Sequence, residues 1–440
     1  MPPPTPGLWR LGARPLVLVA ALAATIAPAL SGCSGSRPAF AGAAPDTLGR
    51  APDGLLARAD LQALVDAQVL REWRPLAEAL ASPDAAVRAR AALALGSVQA
   101  PEAVPALTGA LQDSVPAVRA DAAFALGQTA DSTAAPFLFL ALRREGTPAV
   151  QRELLDAVGK VGSRSDGDAL LKLTLPPERE ADRSLALARL AYRQRLSPEA
   201  FGALAGLLRA GDPAPRDRAA YAFARAGGWE VHAGAVRAAF DALASGDPAR
   251  MHLARALGRL EDPQDAERLA EALQRDADWR VRANAAAALR PLATAREARA
   301  ALTAALDDEV AHVRVAAASA LAAVPALPAP YLDRFEASVA EPDTAEWHAQ
   351  AALLPALARA GRVGPVLAWA DAQTDPFAAA RGLAALGVAD DAMSLARLVE
   401  ASGDEDTRIA GAAVGAERIR SPTWSASTTS IPRITRPKTV

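Results

Sequence analysis

The chain has 440 residues, of which 51% are apolar but only 4% aromatic, and its formal net charge is −2. Such a weakly acidic chain is poorly suited to neutralising phosphates, so nucleic acid is not an expected partner. The single cysteine, Cys33, excludes an intramolecular disulfide and a metal site built of several thiolates. Alanine dominates the apolar set, and a core of such small side chains requires closely packed elements.

The first 33 residues have the features of a bacterial export signal. Arg10 and Arg14 precede an apolar stretch at residues 15–30, which is too short for a good membrane span. The stretch closes with L-S-G-C at residues 30–33, which resembles the bacterial lipobox. An ordinary signal peptide with a chance cysteine is the alternative. The resemblance implies that residues 1–32 are a lipoprotein signal peptide and that Cys33 receives a diacylglyceryl group.

Lipidation of Cys33 would hold the mature chain at a membrane, because it adds more than one acyl chain. Residues 33–52 are then the lipidated cysteine and a flexible tether. The expected location is the cell envelope, lipid-anchored, on the periplasmic or outer-membrane side. Ser34 favours the outer membrane, since an inner-membrane retention signal would show Asp at this position.

An internal repeat extends over most of the remaining chain. Ten-residue segments superimpose without gaps, and each has apolar residues spaced as on one face of a helix. A second amphipathic helix lies upstream, as at residues 102–111. One such hairpin cannot bury its own apolar face, so it must stack on the next. The clearest segments are residues 87–96, 118–127, 281–290 and 313–322.

These copies predict an all-α solenoid over residues 53–420. About eleven antiparallel hairpins follow a leading helix at residues 53–69. The segments resemble HEAT repeats of the short bacterial, armadillo-like kind, which implies a right-handed α-α superhelix whose second helices line the concave face. A narrower likeness, carried by residues 59–127, is to bacterial lipoproteins in which such repeats precede a cyclophilin-type prolyl isomerase. Here no isomerase domain follows the repeats.

Two features of the repeats predict structural roles. Glycines near the ends of the second helices are expected to act as C-caps; they are Gly96, Gly127, Gly159, Gly227, Gly258, Gly361, Gly387 and Gly415. In the recurrent Val-Arg pairs, the arginine is expected to pair with an Asp of the neighbouring repeat while the preceding Asp caps the second helix, although an anion-binding ladder is an alternative. The arginines are Arg88, Arg119, Arg282 and Arg314, preceded by Asp84, Asp113, Asp278 and Asp308.

A column two residues beyond those arginines changes from copy to copy while the framework does not. It contains Arg90, Asp121, Glu153 and Asn284, with Ala316 in the last clear copy. Because second helices line the concave face in proteins that the segments resemble, the first four are predicted to form a partner-binding groove. A solvated face without function is the alternative.

The sequence shows no catalytic constellation. The four histidines have no metal-ligand spacing, and phosphate-binding and nucleophile motifs are absent, so no enzyme activity, metal, cofactor or small-molecule substrate is expected. Trp229, Trp279 and Trp347 could anchor a partner, or fill gaps that alanines leave.

The last twenty residues, 421–440, lose the alanine-rich pattern and become rich in Ser, Thr and Pro. We expect a disordered tail or an aberrant gene end. The predicted function is that of a membrane-anchored, non-enzymatic scaffold, which binds a protein or peptide in the groove of its solenoid. The alternative is the repeat arm of a prolyl-isomerase lipoprotein whose catalytic domain is missing.

Overall fold

A computed structural model describes residues 58–342, 347–389 and 391–420. The predicted signal peptide, Cys33, the tether and the tail at residues 421–440 lie outside these ranges. The described residues contain helices and turns but no strand. Within the same ranges, none of the helices combines the length and hydropathy needed to cross a bilayer.

The described residues form 23 α-helices, connected by turns and short 3-10 segments. In chain order they are α1 Ala59–Val69, α2 Trp73–Ala79, α3 Ala85–Val98, α4 Val104–Ala110, α5 Pro116–Gln128, α6 Ala135–Arg144, α7 Pro148–Val161, α8 Arg164–Lys172, α9 Glu180–Tyr192, α10 Pro198–Leu207, α11 Pro213–Arg225, α12 Ala233–Ala242, α13 Ala249–Leu260, α14 Ala266–Arg275, α15 Trp279–Ala288, α16 Arg296–Ala304, α17 Ala311–Ala322, α18 Ala329–Val339, α19 Trp347–Arg359, α20 Val363–Asp371, α21 Pro376–Leu386, α22 Ala392–Ala401 and α23 Thr407–Arg420.

The helices after α1 pair into eleven hairpins, each made of an even-numbered helix followed by an odd-numbered one. Every odd-numbered helix from α3 to α23 packs on the odd-numbered helices of the adjacent hairpins, whereas successive even-numbered helices contact each other far less, with the exception of α14 and α16. The predicted leading helix corresponds to α1, which packs on α2 and α3. The predicted solenoid of eleven hairpins is thereby confirmed, with its closest packing along the odd-numbered helices.

A ten-residue register describes the odd-numbered helices, with Val87 of α3 as position 1 and Gly96 as position 10. Positions 1, 5, 6, 8, 9 and 10 are buried in α3 and again in α5. Alanine fills several of them, including Ala91 and Ala94, which are fully buried. Small side chains at these positions let neighbouring helices approach closely, which explains the alanine-rich composition.

The predicted C-cap role of the glycines is wrong for most of them. Gly127, Gly159 and Gly258 lie inside α5, α7 and α13, where the next odd-numbered helix crosses. A Cβ at Gly127 would lie 3.0 Å from the Cα of Ala157, and one at Gly258 only 2.6 Å from the Cα of Ala288. These glycines therefore permit close contact between helix backbones.

Several helix ends that glycine was expected to form are made by other residues. Gln99 after α3 and Glu261 after α13 adopt the left-handed conformation, with φ of 58° and 51°. Among the predicted caps, Gly361 does have a positive φ of 76°, just after α19. Because a side chain in the left-handed region is strained by its Cβ, these non-glycine ends are less stable than glycine would make them.

The predicted pairing between repeats is confirmed for Arg88, Arg119 and Arg282, although Arg119 pairs with Glu145 instead of an aspartate. Arg88 Nε and Nη2 donate to the two carboxylate oxygens of Asp113 at 2.6 and 3.0 Å, while Nη1 donates to Ser82 O at 2.9 Å. Asp113 Oδ1 also accepts a hydrogen bond from the Val115 backbone at 2.8 Å. Each such carboxylate thus holds an arginine of the preceding hairpin and fixes the turn before its own odd-numbered helix.

We call this series of contacts the arginine–carboxylate ladder. The Arg119 guanidinium lowers the pKa of its partner Glu145 to about 2, because it donates to the ionised carboxylate. Asp84 and Asp278 cap α3 and α15 as predicted. The predicted caps at Asp113 and Asp308 are wrong, because these carboxylates accept from the backbone of the preceding turn and α5 and α17 have no side-chain cap. Further pairs of the ladder join Arg216 to Asp247, Arg250 to Asp276 and Arg282 to Asp308.

The ladder is interrupted in the middle of the solenoid. In α7 the arginine position holds Gln151, whose Nε2 donates to Glu145 O at 2.8 Å without an ion pair. In α9 the corresponding position holds Glu180, which pairs with Arg183 of the same helix. Across the described residues, no ion pair joins α9 to α11.

Candidate protein-binding face

Positions 4, 7 and 11 of the register form a stripe on the side of each odd-numbered helix that faces away from its core. Residues spaced by three or four along a helix lie above one another, so the three positions share one side. In α3 these positions hold Arg90, Leu93 and Ser97, which are half-buried or exposed. We call the series of such stripes from α3 to α21 the exposed face.

Arg90, a predicted groove residue, occupies position 4 of α3. Its Nη2 donates a hydrogen bond to Gln68 Oε1 of α1. Part of its donor capacity is therefore used in holding the leading helix against the first hairpin. The structure thus gives Arg90 a structural contact, and its role in binding stays a prediction.

Asp121 and Glu153, the next two predicted residues, lie at position 4 of α5 and α7. Burial raises the pKa of Asp121 to about 6, and the negative charge of Glu153 adds to the effect. The pKa of Glu153 is also raised, first by burial and then by the charge of Asp156. The structure therefore brings these two carboxylates close enough to repel each other.

Cations flank the carboxylates on the exposed face. Asp156 forms ion pairs with Lys160 at 2.8 Å and with Arg189 of α9 at 2.7 Å. The Lys160 ammonium also lies 5.3 Å from the ring centroid of Phe124, within the range of a cation–π contact. This part of the exposed face is mixed in charge: Asp156 is ion-paired, whereas Asp121 and Glu153 form no ion pair within the described residues.

Asn284, the last predicted groove residue, does not join the others. It lies on α15, four hairpins beyond Glu153, and its Nδ2 donates to Arg280 O of its own helix at 2.8 Å. The predicted column is therefore real as a register position, but only Asp121 and Glu153 interact. Their role in binding a partner remains a prediction.

A second cluster on the exposed face escaped the sequence reasoning. It consists of the arginines and the tyrosine at positions 4, 7 and 11 of α11, the arginines at positions 7 and 11 of α13, and the tyrosine that ends α9. We call it the arginine–tyrosine patch, and it consists of Tyr192, Arg218, Tyr221, Arg225, Arg255 and Arg259. The spacing of three and then four residues, at 218/221/225 and at 252/255/259, could have revealed it.

The patch is held together by contacts between rings and guanidinium groups. The Arg225 guanidinium lies 5.5 Å from the Tyr221 ring and 5.9 Å from the Tyr192 ring. The Tyr221 ring packs edge-on against His252 at 5.4 Å. Burial is the main cause that lowers the pKa of His252, and the charges of nearby arginines add to it.

The tryptophans divide between the two predicted roles. Trp229 and Trp369 are buried, and their indole N–H groups donate to Ala226 O at 3.0 Å and Gln350 Oε1 at 2.8 Å. Trp279 is 39% exposed, and its ring lies 5.1 Å from that of His312. Gap filling therefore explains Trp229, whereas Trp279 remains available at the surface.

No group of three or more potential metal ligands occurs in the part of the chain that the structure describes. His252, His312 and His348 instead pack against aromatic rings, and His252 also lies 3.5 Å from Asp217. The chemistry of the exposed face is thus that of charged and aromatic side chains, which suits recognition of another polar surface.

Comparison with known proteins gives a family and two solved structures. The family model described as HEAT repeats matches residues 74–157, 110–191 and 202–290. A structure of human deoxyhypusine hydroxylase in complex with glycerol is 26% identical over 59% of this chain and 98% of its own, with a TM-score of 0.27. An engineered protein is 19% identical over 79% of this chain and 98% of its own, with a TM-score of 0.34.

Both TM-scores are low, so neither structure supports an inference about activity. A comparison with curated proteins finds no match. The family match covers hairpins that carry the ladder and also those at α7 and α9, where the ladder is interrupted. The family match agrees with the structure, since the described residues form stacked helical hairpins. The chain is therefore a solenoid of HEAT-type hairpins, which the family model matches at residues 74–191 and 202–290.

Proposed function

We propose that this HEAT-repeat chain is a membrane-anchored scaffold that binds a segment of a partner protein along its exposed face and has no catalytic activity of its own. One observation carries the proposal. Positions 1, 5, 6 and 8 stay apolar and buried in α3, α5, α7 and α15, whereas position 4 of these helices changes from Arg90 to Asp121 to Glu153 to Asn284. A surface that only needed hydration would not require half-buried carboxylates with raised pKa values at such positions.

A partner protein fits this surface better than a small molecule does. The exposed face extends over successive helices spaced about 9–10 Å apart, so it offers many separated contacts. Extended surfaces of this kind are how stacked repeats bind their partners. Mixed charge along the face also provides the complementarity that gives protein interfaces their specificity.

Membrane anchoring is the second part of the proposal, and its support is the L-S-G-C sequence that ends at Cys33. A Cys33→Ser variant should lose the lipid and move from the membrane fraction to the soluble fraction. Mass spectrometry of the N-terminal peptide should show a diacylglyceryl adduct on Cys33 in the native chain. An unmodified cysteine in a cleaved or uncleaved chain would contradict this part.

Binding along the exposed face can be tested by photo-cross-linking from defined positions. A photoreactive residue at Leu93, which is 42% exposed on α3, should cross-link a specific partner in the native membrane. A matched control is Phe137, which is 50% exposed on the even-numbered helix α6. The same adduct from both positions, or none from Leu93, would contradict the proposed binding face.

The alternative function is the repeat arm of a cyclophilin-type isomerase lipoprotein whose catalytic domain is missing from this chain. Its support is the likeness of residues 59–127 to such lipoproteins. The DNA downstream of the Arg420 codon distinguishes the two functions, because a remnant would be followed in another reading frame by a cyclophilin-like sequence. Absence of such a sequence there would remove the alternative.

A further inference from the structure

We propose that the arginine–tyrosine patch binds an acidic segment of the partner protein, through ion pairs between its arginines and Asp or Glu side chains. The inference rests on the proposed function of the exposed face and deepens it by naming the charge of the segment that this part of the face recognises. It is carried by the arrangement of the patch and by the pairing state of its arginines.

The patch presents its cations in two adjacent rows. Arg218 and Arg225 stand at positions 4 and 11 of α11, and Arg255 and Arg259 stand at positions 7 and 11 of α13. The two helices pack directly on each other, so the four arginines lie on neighbouring stripes of the exposed face. Arg225, Arg255 and Arg259 are exposed, and Arg218 is half-buried.

None of these four arginines has a carboxylate within 4.0 Å among the described residues. The contrast with the ladder is sharp on the same helices. Arg216 of α11 pairs with Asp247 at 2.5 Å, and Arg250 of α13 pairs with Asp276 at 2.7 Å. The arginines on the core side are thus matched by carboxylates, while those on the exposed face are left with unused donors.

Two tyrosines hold the Arg225 side chain in a position where it can bind a carboxylate. Arg225 Nε donates to Tyr221 Oη at 3.4 Å, and its guanidinium lies near both the Tyr221 and the Tyr192 rings. Such contacts restrict the side chain and leave its remaining N–H groups for an incoming carboxylate, which a guanidinium can bind with two parallel hydrogen bonds. Less side-chain entropy is then lost when the partner binds.

The surroundings favour a short acidic peptide over a nucleic acid. Just before the patch, Asp156 of α7 and Asp182 of α9 are ion-paired with Arg189 and Arg179, so those arginines are less available to a phosphate backbone that extended past the patch. The patch spans the helices α9 to α13, about 20 Å at the usual helix spacing. An extended peptide covers this length with about six residues.

The test measures binding of a fluorescein-labelled peptide, eight residues rich in Asp and Glu, to the full chain in detergent by fluorescence anisotropy. The double variant Arg255→Gln with Arg259→Gln should weaken binding at least tenfold. It breaks no ion pair within the described residues, so folding should be kept, and circular dichroism checks this. The matched control is Arg275→Gln with Arg296→Gln, which removes the same charge from exposed positions on even-numbered helices.

Three results would overturn the inference. They are equal binding to the wild type and the patch variant, equal binding of a peptide with Asn and Gln in place of the acids, and tighter binding of single-stranded DNA than of the acidic peptide. If cross-linking from Leu93 succeeds while the acidic peptide fails to bind, the scaffold stands and only the charge assigned to the partner is wrong. If Leu93 also yields nothing, the binding face itself fails.

Discussion

Replacing glycine by alanine should have opposite effects at two positions of this solenoid. At Gly258 in α13, an added Cβ would lie 2.5 Å from the Cβ of Ala288 and 2.6 Å from its Cα on α15. At Gly202 in α10, the nearest atom would be His232 Cε1 at 3.7 Å, an ordinary van der Waals distance. Alanine should therefore favour the helical conformation at both sites, but its Cβ would overlap a neighbouring helix only at Gly258.

The magnitudes follow from these distances. Alanine in a helix interior is more favourable than glycine by about 1 kcal/mol. Forcing apart two packed helices costs about 1–3 kcal/mol, and here the obstacle is backbone that cannot rotate away. We expect Gly202→Ala to raise the free energy of unfolding by about 0.5–1 kcal/mol, whereas Gly258→Ala should lower it by about 1 kcal/mol.

Urea denaturation followed by circular dichroism measures both variants. Since a solenoid can unfold in parts, hydrogen exchange in α13 and α15 should accompany it. Exchange should accelerate there in Gly258→Ala and remain unchanged in Gly202→Ala. The reasoning is refuted if Gly258→Ala is as stable as Gly202→Ala, because the glycine would then serve no close approach.

Three further predictions concern single positions and are read by the same denaturation assay. Asp113→Ala should lower the free energy of unfolding by about 2 kcal/mol, because Arg88 loses its carboxylate and Val115 its acceptor; an unchanged midpoint would contradict a structural ladder. Gln99→Gly should raise the free energy by about 1 kcal/mol, since φ is 58° there, and a loss would show that the Gln99 side chain matters more. The pKa of Asp121 is about 6 in the folded chain and near 3.9 in the unfolded chain, so the free energy of unfolding should rise as the pH falls from 7 to 5. Asp121→Asn should reduce this rise. If the dependence of the free energy of unfolding on pH is unaltered in the variant, Asp121 is not its source.

The parts of the fold that repeat were predictable from sequence. A fixed period shows which residues must be equivalent, so the Arg88–Asp113 contact could be expected once four copies were aligned. The eleven hairpins and the leading helix follow from the same period together with the need of each hairpin to bury its apolar face. What the period encodes is the contact between one copy and the next.

The errors arose where sequence alone allows two physical roles. Gly258 near the end of a helical pattern fits a C-cap, but it also fits close packing, and only the position of Ala288 on the next helix decides between them. The arginine–tyrosine patch was missed because Tyr221 and Arg255 belong to weaker copies that lack the Val-Arg signature. That Tyr221 and Arg255 lie close together follows only when both helices are placed in the ten-residue register, which is evident in the clear copies and hard to recognise in these two.

The interruption of the ladder makes the solenoid mechanically uneven. Stacked hairpins transmit force in series, so an applied load is carried in turn by every interface. The described residues form no ion pair between α9 and α11. Under load, this interface should therefore separate before the interfaces at which Arg119 or Arg282 forms an ion pair. In single-molecule pulling, the first extension should release the chain near residues 180–225. A ligand that contacts both Tyr192 and Arg225 would connect α9 to α11 and strengthen this interface. Ligand binding should therefore make the whole solenoid stiffer.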